Sequence, residues 1–381
     1  MSDLHRVLAT VFSLGLWSFL LAMVITPIYT YFAYKYKFWK QMRHDAMTGG
    51  EAKVYEKIHA AKHKRHIPTM AGMIFVIAIT IITLIFNRSD YTKLPLAALV
   101  GCSIIGLIDD FINIRSHGKG IAGMRAPVKF TLITAIGLVL GWYFWSKLGR
   151  NSIYVPFVGE WTVGAWIVPI FAFVVVATGN AVNISDGLDG LAGGLSIFAF
   201  GAYAIIAILE QKYGVAGFCM TVVGALVSYL WFNIYPARFF MGDVGAFALG
   251  CSLAVVAMLT DTMFIFPIIA FVFVFEVLSD IIQISSKKIR HKKVFLSAPI
   301  HHHLEAIGWP ETKITMRFWL IGAVCASIGV LLAIEGGCIS FNVNRFKEAN
   351  LPQSVKTEAA LKLNSDEQAA KKVIAAKGVK L

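Results

Sequence analysis

Asn180, Asn183, Asp186 and Asp189 recur at every third position in the string NAVNISDGLDGLAGG (180–194), between two apolar runs. Amides and carboxylates are costly to bury there unless a cation, water or a hydrogen-bond donor compensates them. On an unbroken α-helix this spacing drifts around the axis, but Gly187 and Gly190 open backbone geometries through which the side chains can converge. An Asx-rich turn linking two helices accounts for one or two such residues and poorly for four. Asp109 and Asp110 end the apolar run GCSIIGLI, and Asp243 stands between RFFMG and VGAFALGCSLAVVAML. Neighbouring helical residues diverge by about 100°, so Asp109 and Asp110 are expected to do different jobs; a solvated helix end is the plainer alternative.

A donor set made only of carboxylate and amide oxygens suits Mg²⁺, a hard octahedral ion often shared with substrate phosphates. The triplet His301-His302-His303 fits a transition-metal site less well, because consecutive helical side chains cannot all reach one ion and no cysteine is near. Imidazole recognition of a phosphate or diphosphate explains it better, with an exposed polar loop as the alternative. Lys119, Arg125, Lys129 and Arg238 offer further positive charge. Magnesium beside phosphates acts by alignment and electrostatic stabilisation, which points to phosphoryl transfer between a soluble nucleotide-linked donor and a lipid phosphate.

The elements that must position these groups are read from hydropathy. The chain has 381 residues, is 57% hydrophobic and 15% charged, and has a mean hydropathy of +0.68 with its apolar residues in long blocks. That is the composition of a polytopic, all-α membrane protein. With spans of roughly 17 to 25 residues, ten are expected, near 8–34, 69–87, 94–112, 126–146, 164–182, 188–209, 215–235, 243–260, 262–284 and 315–339. The first lacks a small-residue cleavage motif and is expected to be retained. Five cysteines, odd in number and without a CxxC pair, read as packing residues.

The net charge of +13 does not make nucleic acid an expected partner, because its placement follows the positive-inside rule. Segments 35–68, 113–125 and 285–314 hold nine, three and six Lys/Arg, whereas the opposite connections hold five: Arg88, Lys93, Lys147, Arg150 and Lys212. This places the basic connections in the cytoplasm and both termini outside. Five polar islands, HIPTMAG (66–72), IDDF (108–111), NAVNISDGLDG (180–190), WFNIYPARFFMGDVGA (231–246) and APIHHHLEAIGWPE (298–311), then share the cytoplasmic face. Residues 1–341 read as the transmembrane domain and 342–381, rich in Lys, Ala and Glu, as a flexible polar tail.

At PTMAG, GLIDD, NAVNISDGLDGLAGG and FMGDVGAFALG the chain resembles the polyprenyl-phosphate N-acetylhexosamine-1-phosphate transferase family, over about 68–331. The strings WFNIYPARFFMGDVG and APIHHHLEAIGWPETKITMRFW narrow the likeness to the branch that takes UDP-MurNAc-pentapeptide as donor. The resemblance implies transfer of the phosphosugar to undecaprenyl phosphate with release of UMP, Mg²⁺ as cofactor, membrane lipid as surroundings and a homodimer. It implies that Asp109 and Asp110 are essential acids, one binding or deprotonating the lipid phosphate, and that Asp243 ligates magnesium. Asn183, Asp186 and Asp189 would wall the nucleotide and metal, while Asn180 by its spacing and Lys119 and Lys129 by their charge are expected as further substrate contacts. Asn233 and Phe240 would face uridine, and His301, His302 and His303 the donor diphosphate. It further implies ten spans with a ninth helix, 275–295, that breaks near the cytoplasmic face. Ala71 and Ala246 stand where that family usually has Gly and Ser, and the first cytoplasmic loop lacks the usual string.

The sequence admits two alternatives. A sister transferase moving GlcNAc-1-phosphate shares the metal and lipid sites but does not need the His-rich stretch. A secondary transporter would place ionisable groups at mid-membrane and carry an internal repeat, and the sequence has none.

Overall fold

A computed structural model describes residues 3–39, 66–115 and 123–339. Lys119, most of the first basic loop and the 342–381 tail lie outside the described residues. Ten of the described helices follow the ten expected spans: α1 Asp3–Lys35, α2 Gly72–Phe86, α3 Asp90–Arg115, α4 Ala126–Ser146, α5 Ile167–Ser185, α6 Leu191–Leu209, α7 Tyr213–Asn233, α8 Gly242–Leu259, α9 Phe271–Arg290 and, after the short α10 Ile300–Ala306, α11 Glu311–Glu335. Eight of them are long and apolar enough to cross a membrane. The protein is all-α and polytopic. One small addition, a hairpin of β1 Ser152–Val155 and β2 Gly159–Thr162, lies between α4 and α5, pairing Ser152 with Thr162 and Val155 with Gly159.

The two helices outside that eight depart for physical reasons. α2 has 15 residues, about 22 Å at the helical rise, short of a hydrocarbon core of about 30 Å. The preceding residues that look like its start pair instead with distant backbone: Thr69 N–H donates to Phe38 O at 2.9 Å, Ala71 N–H to Phe240 O at 3.0 Å and Phe240 N–H to Pro68 O at 2.8 Å. Non-helical backbone is tolerated at that depth because protein satisfies it. The ninth helix is unbroken from Phe271 to Arg290, and the interruption lies before it, at Ala270, where a single turn Phe266–Ile269 opened by Pro267 ends. The 275–295 expectation is corrected accordingly.

α9 also inverts the amphipathicity of a soluble helix. Glu276, Ser279, Gln283 and Ser286 are buried, while Phe275, Leu278, Ile281, Ile282 and Ile289 are exposed. Apolar side chains outward and polar ones inward are what a lipid surround selects.

α8 is the central element. Every one of its residues is buried, and it packs against α3 and α5 most extensively. Its run of Gly, Ala, Ser and Cys admits close neighbours, which is how helices associate in lipid. At Gly106 of α3 a Cβ would lie 2.3 Å from Asp243 O, so glycine there sets the contact that brings the acidic end of α3 to the start of α8. The opposite ends of these helices carry a second polar group: Arg150 pairs with Asp261 at 3.1 Å, and Lys212 with Glu210 at 3.2 Å and Asp261 at 3.4 Å.

Candidate active site

The C-terminal ends of α3 and α5 and the N-terminal ends of α4 and α8 meet at one place. Asp109, Asp110 and Asp243, all buried, each offer a carboxylate oxygen, and these oxygens lie within 4.8 Å of one another. Oxygen-only donors at this spacing fit a hard divalent cation. They form a candidate acidic metal-binding cluster.

The two neighbouring aspartates are held differently. Asp109 accepts the Met124 N–H at 2.7 Å and faces the Lys129 ammonium at 3.1 Å. Asp110 accepts the Val244 N–H at 3.1 Å, in the first turn of α8, where free N–H groups and the helix dipole favour an anion. Gly242, just before, has φ +74, and a Cβ on it would lie 2.5 Å from the Asp110 carboxylate. Only a residue without a side chain takes that conformation this close to the anion.

Asp243 is the best-connected member. Lys129 donates to its Oδ2 at 2.6 Å and Asn183 to its Oδ1 at 3.0 Å. Lys129 therefore bridges Asp109 and Asp243, and its ammonium also lies 5.2 Å from the Phe247 ring. The pairing offsets the cost of three carboxylates gathered in one buried volume.

The remaining residues separate into those beside the cluster and those that build its walls. Asn180 donates back to Val176 O at 2.8 Å within α5, and Asp186 ends that helix. Asp189 accepts the Ala237 N–H at 3.0 Å while its own N–H meets Glu311 at 2.6 Å. Asn233 accepts from Gly190 N–H at 3.0 Å and donates to Phe239 O at 2.9 Å. Asp189 and Asn233 thus fasten the glycine turn to the 234–241 loop, through bonds that reach across 48 and 43 residues. Phe240 is half-buried beside it, paired through its backbone to Pro68 and Ala71. Arg238 stacks over Phe232 at 5.9 Å.

The histidines have three different surroundings. His301 is fully buried, with Nδ1–H donating to Glu276 at 2.8 Å. His302 meets Glu305 at 2.7 Å, and His303 accepts the Leu296 N–H at 3.2 Å beside Phe295. Burial by itself lowers the proton affinity of His301; Glu276 outweighs it, aided by Glu305 and Asp280, so its pKa is raised above the ordinary imidazole value. Glu276 and Glu311 do not stand out in sequence. The signal for Glu276 is the polar period 276, 279, 283, 286, which runs through a helix whose other residues as far as Ile284 are apolar except Asp280.

The glycosyl transferase family 4 signature matches residues 92–261, which contain all three clustered aspartates. A phospho-N-acetylmuramoyl-pentapeptide-transferase of Chloroflexus aggregans is 37% identical over 335 residues, covering 84% of this chain and 88% of the relative. The chain belongs to the phospho-N-acetylmuramoyl-pentapeptide-transferase family. Transferases of that name from Clostridium novyi, 37% identical over 85% of this chain and 98% of theirs, and Heliobacterium modesticaldum, 36% identical over 84% and 97%, agree. The transferase relatives align over 326 to 335 residues, so the likeness extends well beyond the matched signature. All five cysteines are free, and Cys102, Cys219 and Cys251 are buried, as packing residues are.

Proposed function

We infer that the chain transfers phospho-N-acetylmuramoyl-pentapeptide from its UDP donor to undecaprenyl phosphate, giving lipid I and UMP in peptidoglycan synthesis. It is a multi-pass enzyme of the bacterial inner membrane with its active-site region facing the cytoplasm. The observation that carries this is the convergence of Asp109, Asp110 and Asp243 around Lys129 at one end of the helix bundle, in a chain of this transferase family.

In the reaction, an oxygen of the lipid phosphate forms a bond to the phosphorus carrying the sugar. The bridging P–O bond breaks, and its electron pair leaves on UMP. Mg²⁺ held by Asp243, with Asp109 and Asp110 beside it, would neutralise charge on the reacting phosphates and keep them in line. Lys129 offsets the negative charge of Asp109 and Asp243 and supplies a second cation to the phosphates. Asn183 orients Asp243 through its amide. Asp110, spent partly on the α8 terminus, fixes the position of Asp243, while Asp109 is the acid turned toward the lipid phosphate. A phosphate acceptor is already largely ionised near neutral pH, so deprotonation by Asp109 is secondary to its placement. Asn180, Asp186, Asp189, Asn233 and Phe240 shape the nucleotide side, Phe240 offering a ring for uracil. The histidine triplet addresses the donor diphosphate. Exposed apolar side chains on α1, α4 and α11 support membrane lipid as the surroundings, and the family likeness supports a homodimer.

The test is direct. Purified protein with polyprenyl phosphate and Mg²⁺ is given UDP-MurNAc-pentapeptide or UDP-GlcNAc, and UMP is measured. Release with the first donor alone is expected; release with the second alone overturns the assignment.

A further inference from the structure

Glu276 and His301 are each without accessible surface. Their contact uses Oε2 of the one and Nδ1 of the other at 2.8 Å, which leaves Glu276 Oε1 and His301 Nε2 buried with no hydrogen-bond partner. A buried N–H without an acceptor costs about 1 to 3 kcal/mol, so such a group in a folded protein calls for an explanation. The unpaired nitrogen faces the glycine turn: a Cβ built on Gly187 would lie 2.2 Å from Nε2 and 2.9 Å from Cε1. Gly187 follows Asp186, and one helical turn earlier Asn183 donates to Asp243 at 3.0 Å.

We propose that Glu276 is a positioning residue of the transfer reaction: it holds His301 in one ring orientation and in its charged form, so that Nε2–H is presented at the Gly187 edge of the acidic turn to an anionic oxygen of the donor diphosphate. This rests on the lipid I synthase reading and goes beyond it in assigning Glu276 and Gly187. A charge-assisted hydrogen bond to an oxyanion strengthens as charge shifts in the transition state. The acceptor reaches Nε2 where its enclosure is closed by a residue with no side chain, so a small shift of the Gly187 backbone admits it. The groups facing the imidazole are Glu276 and Asp280 from α9, His302 and Glu305 from α10, and the Asp186–Gly187 turn after α5. The three carboxylates of α9 and α10 favour the imidazolium.

The experiment compares kcat against pH for wild-type, Glu276→Gln, Glu276→Asp and Gly187→Ala, with folded protein checked by gel filtration in detergent. In wild-type, activity falls on the alkaline side as His301 loses its proton. Glu276→Gln keeps the shape and removes the charge, so that fall is expected about one pH unit or more earlier, with kcat down about tenfold or more near pH 8 and donor KM within about threefold. Glu276→Asp restores part of the alkaline activity. Gly187→Ala lowers kcat without moving the alkaline limb, because it displaces the ring and leaves its charge partner in place. A Glu276→Gln profile parallel to wild-type, lowered or not, overturns the proposal. Failure of the underlying reading looks different, since wild-type would then release no UMP from UDP-MurNAc-pentapeptide at any pH. In that case the His301 titration, read by nitrogen NMR against a His301→Gln control, decides: a titration unchanged by Glu276→Gln overturns the electrostatic role as well.

Discussion

The carboxylate of Asp110 accepts the backbone N–H of Val244 at 3.1 Å, joining two residues 134 positions apart and tying the acidic end of α3 to the first turn of α8. Its neighbour Asp109 makes no such helix contact and faces Met124 and Lys129. The two acids should therefore fail differently. Asp110→Ala removes a helix-terminus acceptor as well as a charge, and should cost about 1 kcal/mol of stability, seen as a lower Tm in detergent together with lost UMP release. Asp109→Ala should abolish turnover with Tm near or above wild-type, since it relieves crowding among carboxylates. Equal Tm losses in both variants would remove the distinction.

Asp243 meets Lys129, Asn183 and the other two acids at once. Asp243→Ala should abolish turnover while folded protein is recovered from membranes. Asp243→Asn keeps an oxygen but not the charge and should fall by about a hundredfold or more. Near-normal UMP release by either variant at limiting Mg²⁺ would remove Asp243 from the metal site.

Lys129 sits between Asp109 and Asp243 at 3.1 and 2.6 Å, where its ammonium competes with any cation for the same oxygens. Lys129→Met should lower kcat by about tenfold or more, because a positive charge near the phosphates is lost. It should also lower the Mg²⁺ concentration needed for half-maximal rate, because the competitor is gone. A raised Mg²⁺ requirement would show instead that Lys129 organises the carboxylates for the metal.

How much of this was open to sequence reading depends on what each residue touches. Asp109, Asp110, Asn183 and Asp243 stand out because polar groups ending apolar runs have few inexpensive fates in a membrane. The packing that joins them is not legible, since the contact of Gly106 with Asp243 and the hydrogen bond from Val244 to Asp110 cross more than 130 positions. Asp189 and Asn233 are visible as polar islands, yet their bonds to Ala237, Gly190 and Phe239 follow from how a loop folds back. Glu276 is hidden for another reason. Its polar period looks like the wet face of a soluble helix, and only a lipid surround turns that face inward. The short α2 escapes because the apolar run that looks like its beginning is consumed by pairing with Phe240 and Phe38.

Glu210 lies just beyond the end of α6, where burial pushes its pKa up to about 7, with Lys212 pulling it down less strongly. A carboxylate raised in the folded state is accommodated without penalty below its unfolded value. Ionisation then destabilises the fold progressively as pH rises through the folded value. Wild-type should accordingly lose thermal stability between about pH 5 and pH 8, and Glu210→Gln should reduce that loss, with little difference at the acid end. A steeper decline in Glu210→Gln would mean that the ion pair with Lys212 outweighs burial.

Orientation is the last point open to test, because a UDP-linked donor is cytosolic and the acidic cluster must face it. The cluster occupies the C-terminal ends of α3 and α5, and the Arg150, Lys212, Glu210 and Asp261 group occupies the other ends of the same bundle. Antiparallel neighbours make this separation a statement about sides of the membrane. Lys35 and Lys37, at the described start of the first basic connection, and the 285–314 connection lie with the acidic cluster, as the positive-inside rule requires. Lys147 and Glu160 lie on exposed surface at the other end, and Lys292 on exposed surface at the active-site end. Single cysteines at these positions, in a background with the five native cysteines replaced by Ala, should react differently with an impermeant thiol reagent. Positions 147 and 160 should label in intact spheroplasts, and 292 only after lysis. A cysteine at Ser365 should follow 147 if the chain ends outside, as an even number of spans demands. Protection at 365 together with labelling at 147 would require an odd number of crossings. The place to find it is α9, whose buried Glu276 and three basic residues in the last turn distinguish it from the eight apolar spans. Labelling of 292 from outside would instead put the acidic cluster on the wrong side for a cytosolic donor and end the mechanism.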